Sequence, residues 1–248
     1  MRPLLPLGVV LALLGIWEAT VVLAGIEPFV LPPPSAVAAR LVEDAPYLAR
    51  HGLITFIEII AGLLTGAGVG ILSALLMAAF HPAERLLWPA IVATQALPVF
   101  AIAPLLVQWF GFGLASKIVM ASLIIFFPVA SAAHDGLKRT DPGLVDLARL
   151  WGASRLDMLR LVRLPAALPA VASGLRIAAA IAPIGAVVGE WVGASAGLGF
   201  IMLHANARLQ TDLVFAALII LAAVAVAVRA LVGWATRRMV PWVNEQPA

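Results

Sequence analysis

Six apolar runs, near residues 4–24, 53–79, 86–109, 116–133, 166–190 and 213–235, leave this chain little choice of fold. Crossing the hydrocarbon core of a bilayer takes about 20 predominantly apolar residues per helix, and each run approaches or exceeds that length. Lipid offers no partner to a bare N–H or C=O, so such runs satisfy their backbone internally, as helices. The balance of the whole chain agrees: 63% of its 248 residues are hydrophobic, 12% are charged and the mean hydropathy is +1.06, far from a water-soluble domain. The expectation is an all-α, polytopic membrane protein with about six transmembrane helices and one membrane domain over residues 1–248. Too little sequence lies between the runs for a separate soluble catalytic domain, so the chain works inside the membrane or through partners.

The basic residues act as a topology signal rather than a nucleic-acid stripe, although the pI is near 10.2. With the N-terminus inside, Arg2, Arg85, Lys138, Arg139, Arg149, Arg155, Arg160, Arg163, Arg176, Arg229, Arg237 and Arg238 fall on the cytoplasmic side, against Arg40, Arg50, Lys117 and Arg208 outside. That asymmetry fits the positive-inside rule and places both termini in the cytoplasm. The first run resembles a signal peptide in having Arg2 before it, but its length and its internal Trp17 and Glu18 favour a span. After it, Leu31-Pro32-Pro33-Pro34-Ser35 forms a stiff turn, and Ser35 is placed to cap a short outer helix within residues 34–50. The chain has no cysteine, which removes disulfides, thiolate metal sites and cysteine nucleophiles. His51, His81, His134 and His204 are too scattered in sequence to argue a metal site.

Glycine and proline mark where the spans pack and bend. Gly62, Gly66 and Gly70 recur every four residues in the second span, as do Gly185, Gly189, Gly193 and Gly197 at the end of the fifth. Such ridges let another backbone approach closely; the fifth-span ridge also suits a pore or dimer seam. Pro89, Pro98 and Pro104 punctuate the third span beside Gln95 and Gln108. Each proline removes a backbone donor, and broken helices at membrane depth are tolerated where they line protein or water, so this segment is a candidate translocation pathway. Ionisable groups within the runs are Glu18, Glu58, Arg176 and Glu190. Glu18, Glu58 and Arg176 lie near enough to span ends to sit at an interface, whereas Glu190, after the glycine ridge, is a pathway or gating candidate.

The longest polar interruption, residues 135–165, is the part most able to meet a partner in water. Asp141-Pro142 opens a helix with an aspartate cap and a proline at the first helical position. Gly152 ends it, and Ser154 with Asp157 opens a second helix in capping-box spacing, before Pro165 and Pro169 turn the chain back to the membrane. Leu147, Leu150, Trp151, Leu156, Leu159 and Val162 alternate with Arg149, Arg155, Asp157, Arg160 and Arg163. This amphipathic pair suits lipid headgroups or a groove in a soluble partner.

Here the chain resembles the permease subunits of ATP-binding cassette importers. Their cytoplasmic signature is Glu-Ala-Ala, three residues, Gly, nine residues, Ile, one residue, Leu-Pro. Asp146, Leu147, Ala148, Gly152, Val162, Leu164 and Pro165 keep every spacing, with Asp146, Leu147 and Val162 as conservative departures; Ala153 follows the glycine. The outer Leu31–Pro34 turn, the stretch from Pro98 through Trp109-Phe110-Gly111 to Ser116-Lys117, and Glu190–Gly199 with Thr211–Val214 extend the resemblance over nearly the whole chain, closest to the branch for nitrate, taurine, aliphatic sulfonates and thiamine-precursor pyrimidines. The resemblance implies a type I importer permease fold with cytoplasmic coupling helices and a homodimeric channel in the inner membrane. It also implies two cytoplasmic ATPase subunits and a periplasmic or lipid-anchored solute-binding protein. ATP would bind those ATPase subunits: the chain has no Gly-x-x-x-x-Gly-Lys-Ser/Thr loop of its own.

For solute, anion-carrying relatives resemble this chain except for arginines near the positions of Gln95 and Glu58. Their replacement here lowers positive charge along the expected pathway, which is formed by Gln95, Pro98, Pro104, Gly185, Gly189 and Glu190. Ala182–Gly185 and Leu203–Arg208 resemble the hydroxymethylpyrimidine permeases, making a thiamine-precursor pyrimidine the expected cargo and taurine, sulfonate or nitrate the alternative. Two other classes compete: a secondary transporter using Glu58 and Glu190 as ion sites, and an intramembrane hydrolase pairing Ser131 with His134 or Ser195 with His204, for which no nucleophile motif exists.

Overall fold

The computed structural model describes residues 4–242, with side chains from Gly8 onward; Arg2 and both chain ends, assigned above to the cytoplasm, lie outside the described residues. In chain order the helices are α1 (Leu4–Leu23), α2 (Pro34–Glu43), α3 (Ala45–Ala79), α4 (His81–Thr94), α5 (Val99–Phe110), α6 (Leu114–Lys138), α7 (Pro142–Leu150), α8 (Arg155–Asp157), α9 (Leu164–Gly193), α10 (Leu198–Ala207) and α11 (Thr211–Met239). A π-helical turn, Met158–Arg163, joins α8 to α9. Five of the six apolar runs fall within single helices, and the third is split between α4 and α5. Among the described residues, α3, α6, the Arg155–Gly193 rod and α11 are individually long and apolar enough to cross a membrane, and α4 with α5 forms a bent fifth.

Glycine makes the centre of this bundle dense. A Cβ on Gly62 would lie 2.5 Å from that of Ala121, one on Gly66 2.7 Å from the carbonyl oxygen of Ser122, and one on Gly70 3.0 Å from that of Phe126. The first ridge is therefore the seat of α6 on α3. The second also packs on α6: Gly185 opposes Ala121 and Gly189 opposes Lys117. Together α3, α6 and α9 bury Ile59, Leu63, Ile125, Val129 and Ala182, and Val228 and Val232 bring α11 onto the same core. A second core joins α2, α3, α10 and α11 through Val37, Leu48, Leu198, Ile201 and Leu213.

Three local readings change. The third span was expected as one proline-kinked helix over 86–109, but α4 and α5 meet at 103°. Pro98 sits outside both, as the N-cap of α5, while Pro89 and Pro104 stay inside their helices. The chain tightens through Gln95 N–H to Val92 O and Ala96 N–H to Ala93 O, and cannot continue at Pro98, which has no N–H to give. Pro165 and Pro169, expected to turn the chain, lie within a rod running from Arg155 to Gly193; the wider i→i+5 turn just before Pro165 relaxes the spacing its ring needs. Ser35 does not cap α2. Its N–H and Oγ both bond to the Glu18 carboxylate, at 2.9 and 2.7 Å, so α1 supplies the anion that α2's N-terminus favours. The outer helix itself stops at Glu43, because Pro46 cannot supply the N–H a continuous helix would need.

Candidate functional site

The polar segment between α6 and α9 is shaped by its own sequence. The Asp141 carboxylate accepts from Gly143 N–H at 2.7 Å, with Pro142 opening α7. Gly152 closes it at φ +78: its N–H bonds to Arg149 O at 2.9 Å and that of Ala153 to Ala148 O at 3.0 Å, the paired closure of a Schellman turn. Both bonds of the Ser154–Asp157 capping box are formed. Two capped helices thus meet at a rigid glycine corner.

Val145 and Met158 are buried within this corner. Leu150 and Trp151 point away from it, 83% and 82% exposed. Leu147, Ala148, Ala153, Val162 and Pro165 line one apolar groove of about 600 Å³, whose walls include Leu144, Trp151, Leu161 and, from the turn just after α11, Trp242. Four of the seven signature residues, with Ala153 after the glycine, therefore converge on one surface; Asp146, Gly152 and Leu164 lie outside the lining. Asp146 holds Arg149 at 3.1 Å. Trp242 escaped the sequence reading because nothing local connects residue 242 to residue 151. An apolar groove of this size beside two exposed large side chains is a candidate docking surface.

The pathway candidates divide. Gln95, Pro98 and Pro104 are exposed at and after the break between α4 and α5. Gly185, Gly189 and Glu190 are buried, the two glycines against α6. Glu190 accepts from Thr55 Oγ1 at 2.6 Å and from Gly199 N–H. Thr55 Oγ1 also receives Leu198 N–H at 2.8 Å, and His51 Nδ1 receives Gly197 N–H at 2.9 Å. Three successive backbone donors of the turn into α10 are thus held by three buried side chains of α3 and α9. Gly197 is at φ +117, and a Cβ there would overlap the Glu190 carboxylate, so only glycine fits. Glu58, expected near a surface, is fully buried and pairs with Lys117 Nζ at 3.0 Å. Lys117, counted above as an outer charge, is 6% exposed. Neither role was legible, because the partners lie on different helices.

Residues 66–241 match the family described as the binding-protein-dependent transport system inner membrane component. The chain belongs to this family. Its relatives include a probable ABC transporter permease of Haemophilus influenzae, 50% identical over 97% of both chains. The riboflavin permease RibX of Chloroflexus aurantiacus is 36% identical over 97% of this chain and 91% of its own, and the formylaminopyrimidine permease ThiX of Halalkalibacterium halodurans 35% over 95% and 94%. The inward-facing MetNI methionine ABC transporter superposes with a TM-score of 0.65 at 21% identity, over 80% of this chain and 96% of that one, which establishes the type I importer fold. This permease is thus a multi-pass inner-membrane subunit of an ABC importer, and membership implies ATPase and solute-binding partners and a dimeric arrangement. The secondary-transporter and hydrolase readings give way to it.

Proposed function

We propose that this permease carries a thiamine-precursor pyrimidine across the inner membrane. Its coupling corner around Gly152 docks on a partner ATPase that binds and hydrolyses the ATP, and both of its termini face the cytoplasm. The observation that carries the docking reading is the groove itself: signature residues from both sides of a rigid turn line one exposed apolar surface beside Leu150 and Trp151. Docking displaces the corner only if the ATPase contacts it differently in its open and closed states. In this reading two copies of the chain enclose the path, and the exposed break at Gln95–Pro98 faces it. Two features support an uncharged heteroaromatic cargo. Gln95 presents an amide and no charge at the break, and two relatives are named for riboflavin and for formylaminopyrimidine. A taurine permease of Escherichia coli at 34% identity keeps the sulfonate alternative in the comparison.

The test is uptake by the complete transporter with labelled hydroxymethylpyrimidine, riboflavin and taurine offered separately. Pyrimidine accumulation that requires ATP is the expected result. Taurine uptake without pyrimidine uptake overturns the substrate assignment and leaves the docking reading standing.

A further inference from the structure

Glu84, in the first turn of α4, gathers three basic side chains. Its Oε1 lies 2.5 Å from Lys138 Nζ and 3.5 Å from His134 Nε2, and its Oε2 lies 3.5 Å from His81 Nδ1. One turn along, Trp88 stacks on the His134 ring at 4.4 Å and 28°. The Glu84 side chain is 19% exposed and that of His134 4%, so their side of the network is withdrawn from water, while Lys138 and His81 reach solvent at 59% and 70%.

The position of this network matters more than its strength. Lys138 is the last residue of α6, and three residues later Asp141 caps α7. Between them Thr140 is buried and its hydroxyl bonds back to Leu137 O at 3.1 Å, so the link from Lys138 to the docking helix is short and tied down. At its other end α4 runs directly into the break at Gln95–Pro98. Leu87, Trp88 and Ile91 also pack on Ala133 and Leu137, but apolar contacts are non-directional and allow packed helices to slide. The Lys138–Glu84 hydrogen bond is directional and fixes one register.

We propose that Glu84 is a positioning residue that transmits displacement of the docking helix α7, through Lys138 and His134, to the broken third span. The proposal rests on the reading of α7 as the ATPase dock. It predicts a defect in coupling rather than in folding or docking. The complete transporter, reconstituted in liposomes with its ATPase and solute-binding protein, is compared for wild type, Glu84→Gln, Lys138→Met and the double variant, reading solute moved per ATP hydrolysed. Glu84→Gln should retain the ATPase and continue hydrolysis while solute per ATP falls about tenfold, within the ordinary range of coupling between sites. Lys138→Met should show the same kind of loss, and the double variant should be no worse than the more defective single, as for groups acting as one unit. An unchanged ratio in Glu84→Gln, or losses that multiply in the double variant, overturns the proposal. If Glu84→Gln yields no folded protein, Lys138→Met decides alone, its side chain being 59% exposed. Gly152→Trp run alongside separates the two readings: uptake surviving there sinks the dock, whereas uptake lost there with an intact ratio in Glu84→Gln sinks only the clamp.

Discussion

At Gly152 the backbone lies at φ +78 with nothing within 4 Å of where a Cβ would stand. Glycine is needed there for its conformation and not for room within this chain, and a non-glycine residue in the left-handed region costs about 1–2 kcal/mol. Gly152→Ala should therefore insert normally and keep part of its uptake, whereas Gly152→Trp, projecting toward the partner's side, should abolish uptake while insertion persists. Uptake measured against the amount of chain in the membrane fraction distinguishes these outcomes. The Gly152 turn and the Ser154–Asp157 box were legible in the sequence because their bonds join residues three to five apart. The Glu58–Lys117 pair was not: its members sit on α3 and α6, and nothing near either residue announces the other. Thr55 and Glu190, 135 residues apart, were hidden for the same reason.

Among the helices, α6 is approached by glycines of both α3 and α9, and the positions in one ridge are not equivalent to their neighbours. Gly66 lies under the Ser122 carbonyl, whereas Gly68, two residues on, has open space around it. Gly66→Ala should lower the thermal midpoint of the detergent-solubilised protein and Gly68→Ala should not, because only the first forces α3 and α6 apart. A melting curve in which the two variants coincide would mean that the ridge is not the seat of α6. The spacing of glycines every four residues announced a close approach, but not which helix would fill it. The third span illustrates the limit again: three prolines were visible, and only Pro98 breaks the chain, since Pro89 and Pro104 are carried within helices packed on the bundle.

At the scale of the molecule, the described chain presents a bundle whose corner around Gly152 carries large exposed apolar side chains. Burying a side chain such as Leu150 or Trp151 on a partner contributes about 1.5–3 kcal/mol, enough for the pair to dominate a small docking surface. Leu150→Ser with Trp151→Ser should leave the permease folded, by size-exclusion profile, and strip the ATPase from it during purification in mild detergent. Retention of a P-loop ATPase in equal amounts by that variant would move the dock elsewhere.

Length and hydropathy of the apolar runs determined the membrane as solvent and the helix as the spanning element, since lipid leaves the backbone no alternative. Short-range capping chemistry determined the turn at Gly152 and the Ser154–Asp157 box, because both are written in residues close in sequence. Which glycines face which helix, that Glu58 is neutralised by Lys117, that Glu18 caps α2, that Trp242 closes the groove and that Glu84 holds the foot of α6 were decided only by the tertiary structure. Each of those contacts joins segments whose proximity depends on the packing of the whole bundle, and a linear sequence carries no term for that distance.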